Sequence, residues 1–148
     1  MQFLTLEDLK MVVDDDTLEV ISQSDENNLT IAEKEAIEEI SGYLRSRFDT
    51  QKAFSLAGEN RNQQLVMITA DIMLYHCTAW LPKRLGYDIR EIRYNNWIEW
   101  LKSVQEGKIT PDLPAYTIDI DGDGTADCQD TQYNRFQFGC IPPQNNVY

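Results

Sequence analysis

The sequence predicts a mainly α fold: a helical bundle of about four to five helices with a C-terminal β-hairpin or extended arm. Three observations predict it. Apolar residues recur at helical spacing from Thr5 to Glu106, cap residues punctuate that stretch, and beyond Pro111 and Pro114 the pattern changes to period two. With 148 residues and 42% hydrophobic content, the chain can form one domain, or one domain with an arm. The division expected is a helical domain over residues 1–110 and a β-patterned arm over 111–148.

The elements follow in order. Thr5 precedes Leu6 and has Asp8 three residues on, a capping-box spacing that opens a short helix to about Val13. Asp14, Asp15 and Asp16 then suit the positive N-terminal end of a second short helix through Ile21. Thr30 with Glu33 repeats the capping-box spacing. From there Ile37, Ile40, Leu44 and Phe48 define one face of a helix of about five turns, with Glu35, Glu38 and Glu39 on a solvated face. Residues 61–81 are apolar nearly all round, which predicts a central helix ended by Pro82 and Gly86. A last helix from about Arg90 to Glu106 turns Tyr94, Trp97, Ile98, Leu101 and Val104 inward, with Trp100 at the margin. In the arm, Tyr116, Ile118 and Ile120 alternate with Thr117, Asp119 and Asp121, and Phe136, Phe138 and Cys140 alternate again.

Charge excludes several functions. Acidic residues outnumber basic ones 25 to 13, for a net charge of −12. Gripping nucleic acid requires Lys and Arg to displace phosphate counterions, and attachment to anionic lipid requires the same sign of charge. The acid is concentrated at the ends: 14 acids against 5 bases in residues 1–60, 5 against 7 in 61–108, and 6 against 1 in 109–148. The opening MQFLTLEDLK lacks the basic, apolar pattern of a signal peptide, and the 65–81 stretch contains Asp71 and His76. The expectation is a soluble protein made in the cytoplasm.

Catalytic and metal-binding signals are few. The single histidine, His76, adjoins Cys77 with Asp71 five residues earlier. Neighbours on a helix point about 100° apart, so His76 and Cys77 do not form a nucleophile–base pair there. His76 is expected to be hydrogen-bonded locally and Cys77 to be a small buried residue. No phosphate-binding loop, dinucleotide fingerprint, zinc spacing or nucleophile elbow occurs, so no enzyme is expected. Lys83, Arg84, Arg90 and Arg93 form one basic cluster. It serves either ion pairing with the acidic front or docking against an acidic neighbouring subunit.

The sharpest local motif lies in the arm. Asp119, Asp121, Asp123, Thr125, Asp127 and Asp130 stand at positions 1, 3, 5, 7, 9 and 12 of a D-x-D-x-D-G loop, a spacing that can wrap hard oxygens round Ca2+. It resembles the calcium loops of dockerin-like and thrombospondin type 3 repeats. The alternative is a hairpin in which the Asp-Gly pairs simply make turns. Cys128 and Cys140 flank that hairpin, and spacing alone does not show whether they meet.

The segments FLTLEDLK, GYLRSRFDTQKAF, LVMITADIMLYHCTAWLP, Arg90-x-x-Arg93-Tyr94 and WIEWLKSVQEGKITPDLP together carry a wider resemblance. From about Phe3 to Pro114 the chain is similar to small bacteriophage proteins found in Mu-like prophages and in phages of Bacteroides-type hosts. The ending with Phe138-Gly139 and an Asn/Tyr stretch is similar to some members, whereas the Asp-rich loop is a departure. The resemblance implies the head–tail connector or head-completion class. Such a protein would form a homo-oligomeric ring, expected to be a dodecamer, between portal and tail or neck proteins. It would need no cofactor, act at no membrane, and let DNA pass without specific binding. Its place would be the virion neck, after assembly in the bacterial cytoplasm. The runner-up is a calcium-dependent binding module acting through residues 119–130, and a third expectation is an acidic DNA mimic.

Overall fold

A computed structural model describes residues 1–22, 25–78 and 87–116. Within them six helices follow one another: α1 (Leu6–Lys10), α2 (Asp15–Ser22), α3 (Glu26–Leu44), α4 (Thr50–Ser55), α5 (Gln63–Thr78) and α6 (Tyr87–Gln105), with a 3-10 turn at Gly58–Asn60 before α5. The mainly helical class stands. The described residues contain one isolated antiparallel bridge, Phe48 to Ala115, and no strand. The expected hairpin lies outside the described residues.

α3 and α5 form the principal packing pair, α6 lies against both, and α1 and α2 cover α5. The reason is the composition of α5. Leu65, Ile68, Ile72, Met73, Leu74 and Cys77 are all essentially inaccessible, so this helix needs cover on several sides. α6 contributes Ile98, Leu101 and Val104, and α3 contributes Ala32, Ala36, Ile40 and Leu44. The small alanines let α3 approach closely.

Local signals succeed at α1 and fail at α3. The Thr5 hydroxyl accepts from the Asp8 N–H, and the Asp8 carboxylate accepts from the Thr5 N–H at 2.7 Å, a complete capping box. Asp14 caps α2 through the Thr17 N–H. α3, however, starts at Glu26, where Asp25 accepts from the Asn27 N–H at 2.8 Å, so Thr30 and Glu33 lie inside the helix. α3 also stops at Leu44 rather than running to Phe48. Asp49 caps a further helix, α4, by accepting from the Lys52 N–H, and Phe48 is buried between the two. Six helices therefore replace the four to five expected.

Glu33 has a different task from capping its own helix. It is inaccessible to solvent and accepts the backbone N–H groups of Gln2, Phe3 and Leu4 at 2.6, 3.0 and 2.7 Å. The carboxylate thereby pins an extended segment whose Phe3 packs edge-on against Phe54 at 5.0 Å. Arg61 closes the same corner, donating to the Phe3 carbonyl and to Asp8. Residues 111–116 pass the start of α5 and the end of α3: the Asn62 amide donates to the Asp112 carbonyl, the Asp49 N–H to the Pro114 carbonyl and the Tyr116 N–H to the Arg47 carbonyl.

Candidate functional site

The most concentrated polar chemistry in the described residues is a seam where α3, α5 and α6 meet. Its inner part is centred on Asp71, only 1% exposed in a helix that is otherwise apolar. Arg93 Nη2 and the Trp97 indole N–H both donate to Asp71 Oδ2, at 2.8 and 2.7 Å. Arg93 Nε lies 2.8 Å from Oδ1 but is not aligned as a hydrogen bond, and Arg90 Nη1 at 3.8 Å is too far for one, so Oδ1 is held by charge. Arg90 also donates to the Val12 carbonyl, which ties α6 to the turn between α1 and α2. Burial lowers the Arg90 pKa, an effect opposed by Asp71.

The outer part is centred on Glu39. One carboxylate oxygen accepts from the Tyr94 hydroxyl at 2.6 Å, and the other lies 2.8 Å from His76 Nε2. Tyr94 stacks on Tyr75 with ring centroids 4.1 Å apart. Burial, reinforced by the bond to Glu39, pushes the Tyr94 phenol well above its usual range. The expectation that Glu39 faces solvent is overturned, because two of its neighbours in space come from α5 and α6. Glu38 does remain exposed and pairs with Arg45.

Chemically this seam ties helices together. Glu39 binds two partners, Asp71 is covered by two arginines and an indole, and His76 meets Glu39 of α3 across a helix interface rather than a local partner. Cys77 faces elsewhere: burial pushes its thiol up to about 12, so it is no nucleophile at neutral pH. Two members of the basic cluster, Arg90 and Arg93, pair with Asp71 of α5 rather than with the acidic front, and Arg93 stays partly exposed. Lys83 and Arg84 lie outside the described residues.

Two surface features accompany the seam. A groove of about 660 Å³ runs between α3 and α4, with Ile37, Phe48, Phe54 and Tyr116 among its walls. Large apolar side chains also face outward: Met11 is 88% exposed, Ile89 64% and Ile92 60%. Trp100 is accounted for differently, meeting Trp97 edge-on at 6.2 Å and sharing a small cleft with Pro111 and Leu113.

The sequence-predicted calcium ligands Asp119, Asp121, Asp123, Thr125, Asp127 and Asp130 lie outside the described residues, as do Cys128 and Cys140. Among the described residues no group of three or more His, Cys, Asp or Glu is placed to hold a metal, and no helix is long and apolar enough to cross a membrane.

A family model described as Bacteriophage Mu, Gp36 matches residues 2–129. The chain belongs to the Gp36 family. Its relationship is thus to bacteriophage proteins, in agreement with the resemblance carried by residues 3–114. The Gp36 match runs further than that resemblance and takes in most of the Asp-rich loop. Neither the curated proteins nor the solved structures offer a match. Membership of a phage family connects the chain with the virion, and the Glu39 and Asp71 ties are then features of a Gp36-family helical body.

Proposed function

We propose that the chain is a structural head–tail connector subunit, forming a homo-oligomeric neck ring between portal and tail proteins around the DNA channel. The observation that carries this reading is the Gp36-family match over residues 2–129. The helical body supports it in two ways. Its polar seam is spent on internal ties, which suits a rigid scaffold more than a reaction centre. Its exposed apolar residues, Met11, Ile89 and Ile92, supply surface for contact between copies. The acid excess suits a protein beside which DNA slides, since like charge repels phosphate. No cofactor is needed for this role.

Electron microscopy of the protein mixed with its portal tests the reading: rings capping the portal are expected. Loss of the protein should leave filled or leaking heads without tails, and normal infectious particles would refute it. The D-x-D-x-D-G spacing favours a second reading, calcium-dependent binding through residues 119–130. A thermal shift on adding millimolar calcium is expected there, and no shift would remove it.

A further inference from the structure

The first half of α6 is amphipathic in an inverted sense. Its arginines and polar aromatics turn inward, where Arg90, Arg93 and Trp97 meet Asp71 and Tyr94 meets Glu39. Its isoleucines turn outward, Ile89 64% and Ile92 60% exposed. A lone exposed apolar residue needs no explanation, but a helix face turned to solvent ordinarily carries polar side chains. Ile89, Ile92 and the exposed Asn96 follow one another at spacings of three and four, the pattern of a helix-pairing seam. Beside that stripe run Asp88, Glu91, Asn95 and Lys102, all exposed, so this flank begins acidic and ends basic. Glu91 and Lys102 stand three turns apart, about 17 Å along the axis, with Asn96 midway between them. That order of charges also suits the helix's own dipole, which accounts for the charges and not for the isoleucines.

We propose that a second copy of this chain covers the stripe, its α6 lying antiparallel to the first about a two-fold axis at Asn96. Antiparallel placement sets Glu91 against Lys102 of the second copy, and symmetry repeats the pair at the other end. Ile92 covers Ser103 and the methylenes of Glu99 of the second copy. The Glu99 carboxylate falls opposite Asn95 of the second copy, whose amide donates to it. At the axis the two Asn96 amides meet, each both donor and acceptor, and fix the register. A parallel pair would instead crowd Asp88 and Glu91 of both copies at one end. The proposal does not depend on the connector reading, because a two-fold pair needs neither portal nor neck ring. Its extent, about three turns of helix on each copy, makes it a small contact of micromolar strength.

Sedimentation of the full-length chain up to about 100 μM at physiological salt tests it, and dimers are expected. Glu91→Lys and Lys102→Glu each replace two attractive pairs by two repulsive ones and should each weaken the dimer about tenfold. Combined in one chain, the two changes restore opposite charges and should bring the affinity back to within about threefold of the parent's. Ile92→Ala should also weaken the dimer, and unfolding midpoints should stay close to the parent's because all three side chains are exposed. A protein monomeric throughout, or charge changes whose losses add instead of cancelling, would overturn the proposal. So would association indifferent to these changes. Rings on portal indifferent to them would overturn this pairing and leave the connector reading standing.

Discussion

Replacing Glu33 tests how much of the bundle depends on one buried carboxylate. Its Oε1 accepts from Phe3 and Leu4 and its Oε2 from Gln2. In Glu33→Gln the amide oxygen can keep Phe3 and Leu4, but the amide nitrogen must then face the Gln2 N–H, donor against donor. The loss is one charge-assisted hydrogen bond and the charge on the other two, about 2 kcal/mol. Glu33→Ala strands all three donors, two of them buried, and also leaves a void. Because the three bonds act together, the cost is about 4 kcal/mol rather than the sum of three separate penalties. For a chain of this size those figures correspond to a Tm lowered by about 6 °C and about 12 °C. Urea unfolding at neutral pH measures both, and the midpoint should fall while the slope with denaturant stays constant. A Glu33→Ala protein within about 0.5 kcal/mol of the parent would refute the reasoning. So would equal losses from the two substitutions, since the acceptor count distinguishes them.

Asp71→Asn should cost about 3–5 kcal/mol in urea unfolding, because it leaves the largely buried Arg90 and its neighbour Arg93 without an opposing charge; a loss below about 1 kcal/mol would show the arginines to be solvated. Cys77 should resist maleimide at pH 8 in the native protein and react at once in denaturant, and rapid native labelling would contradict its burial. Burial raises the Asp8 pKa, but bonds from Arg61 and Thr5 outweigh it and hold the value below normal. A depressed carboxylate stabilises the fold above its unfolded pKa and loses that contribution as pH falls through the native one. Unfolding midpoints should therefore fall below about pH 4, and less steeply in Asp8→Asn.

How much of this was legible in sequence depends on whether a signal was local. Thr5 and Asp8 lie within one turn of each other, and their spacing suffices to predict their bonds. Thr30 and Glu33 show the same spacing, yet Asp25 captures the helix start and the N-terminal segment captures Glu33. Nothing within five residues of Glu33 announces partners 29–31 residues away. Asp71 left a better clue. An acid within an apolar helix needs a cation, and Arg90 and Arg93 stand one turn apart with Trp97 a turn further. The ion pairing expected of those arginines is present, but its partner is Asp71 on α5 and not the acidic front. Phe48 kept the helical period, but Asp49 offered a competing cap, and the backbone took the cap.

The location of the arginines also bears on how copies could associate. Composition alone gives the middle of the chain a small positive excess, which suggests attraction to an acidic neighbour. In the fold, Arg61 is paired with Asp8, Arg90 and Arg93 with Asp71, and Arg47 donates to the Val104 carbonyl at the end of α6. At the surface, Lys10, Arg45 and Lys108 each sit beside a carboxylate of their own chain. If copies associate as the connector reading proposes, these pairings favour contact through exposed apolar side chains such as Met11, Ile89 and Ile92 over contact through the arginines described. Contact through these apolar side chains should persist or strengthen as salt rises, because acid-to-acid repulsion is screened while apolar burial is not. Sedimentation across a salt series is the measurement. Ile92 is 60% exposed in isolation, so Ile92→Asp should leave the unfolding midpoint nearly unchanged while abolishing assembly. Assembly that dissolved as salt rose, or that survived Ile92→Asp, would refute this and return the role to charged groups.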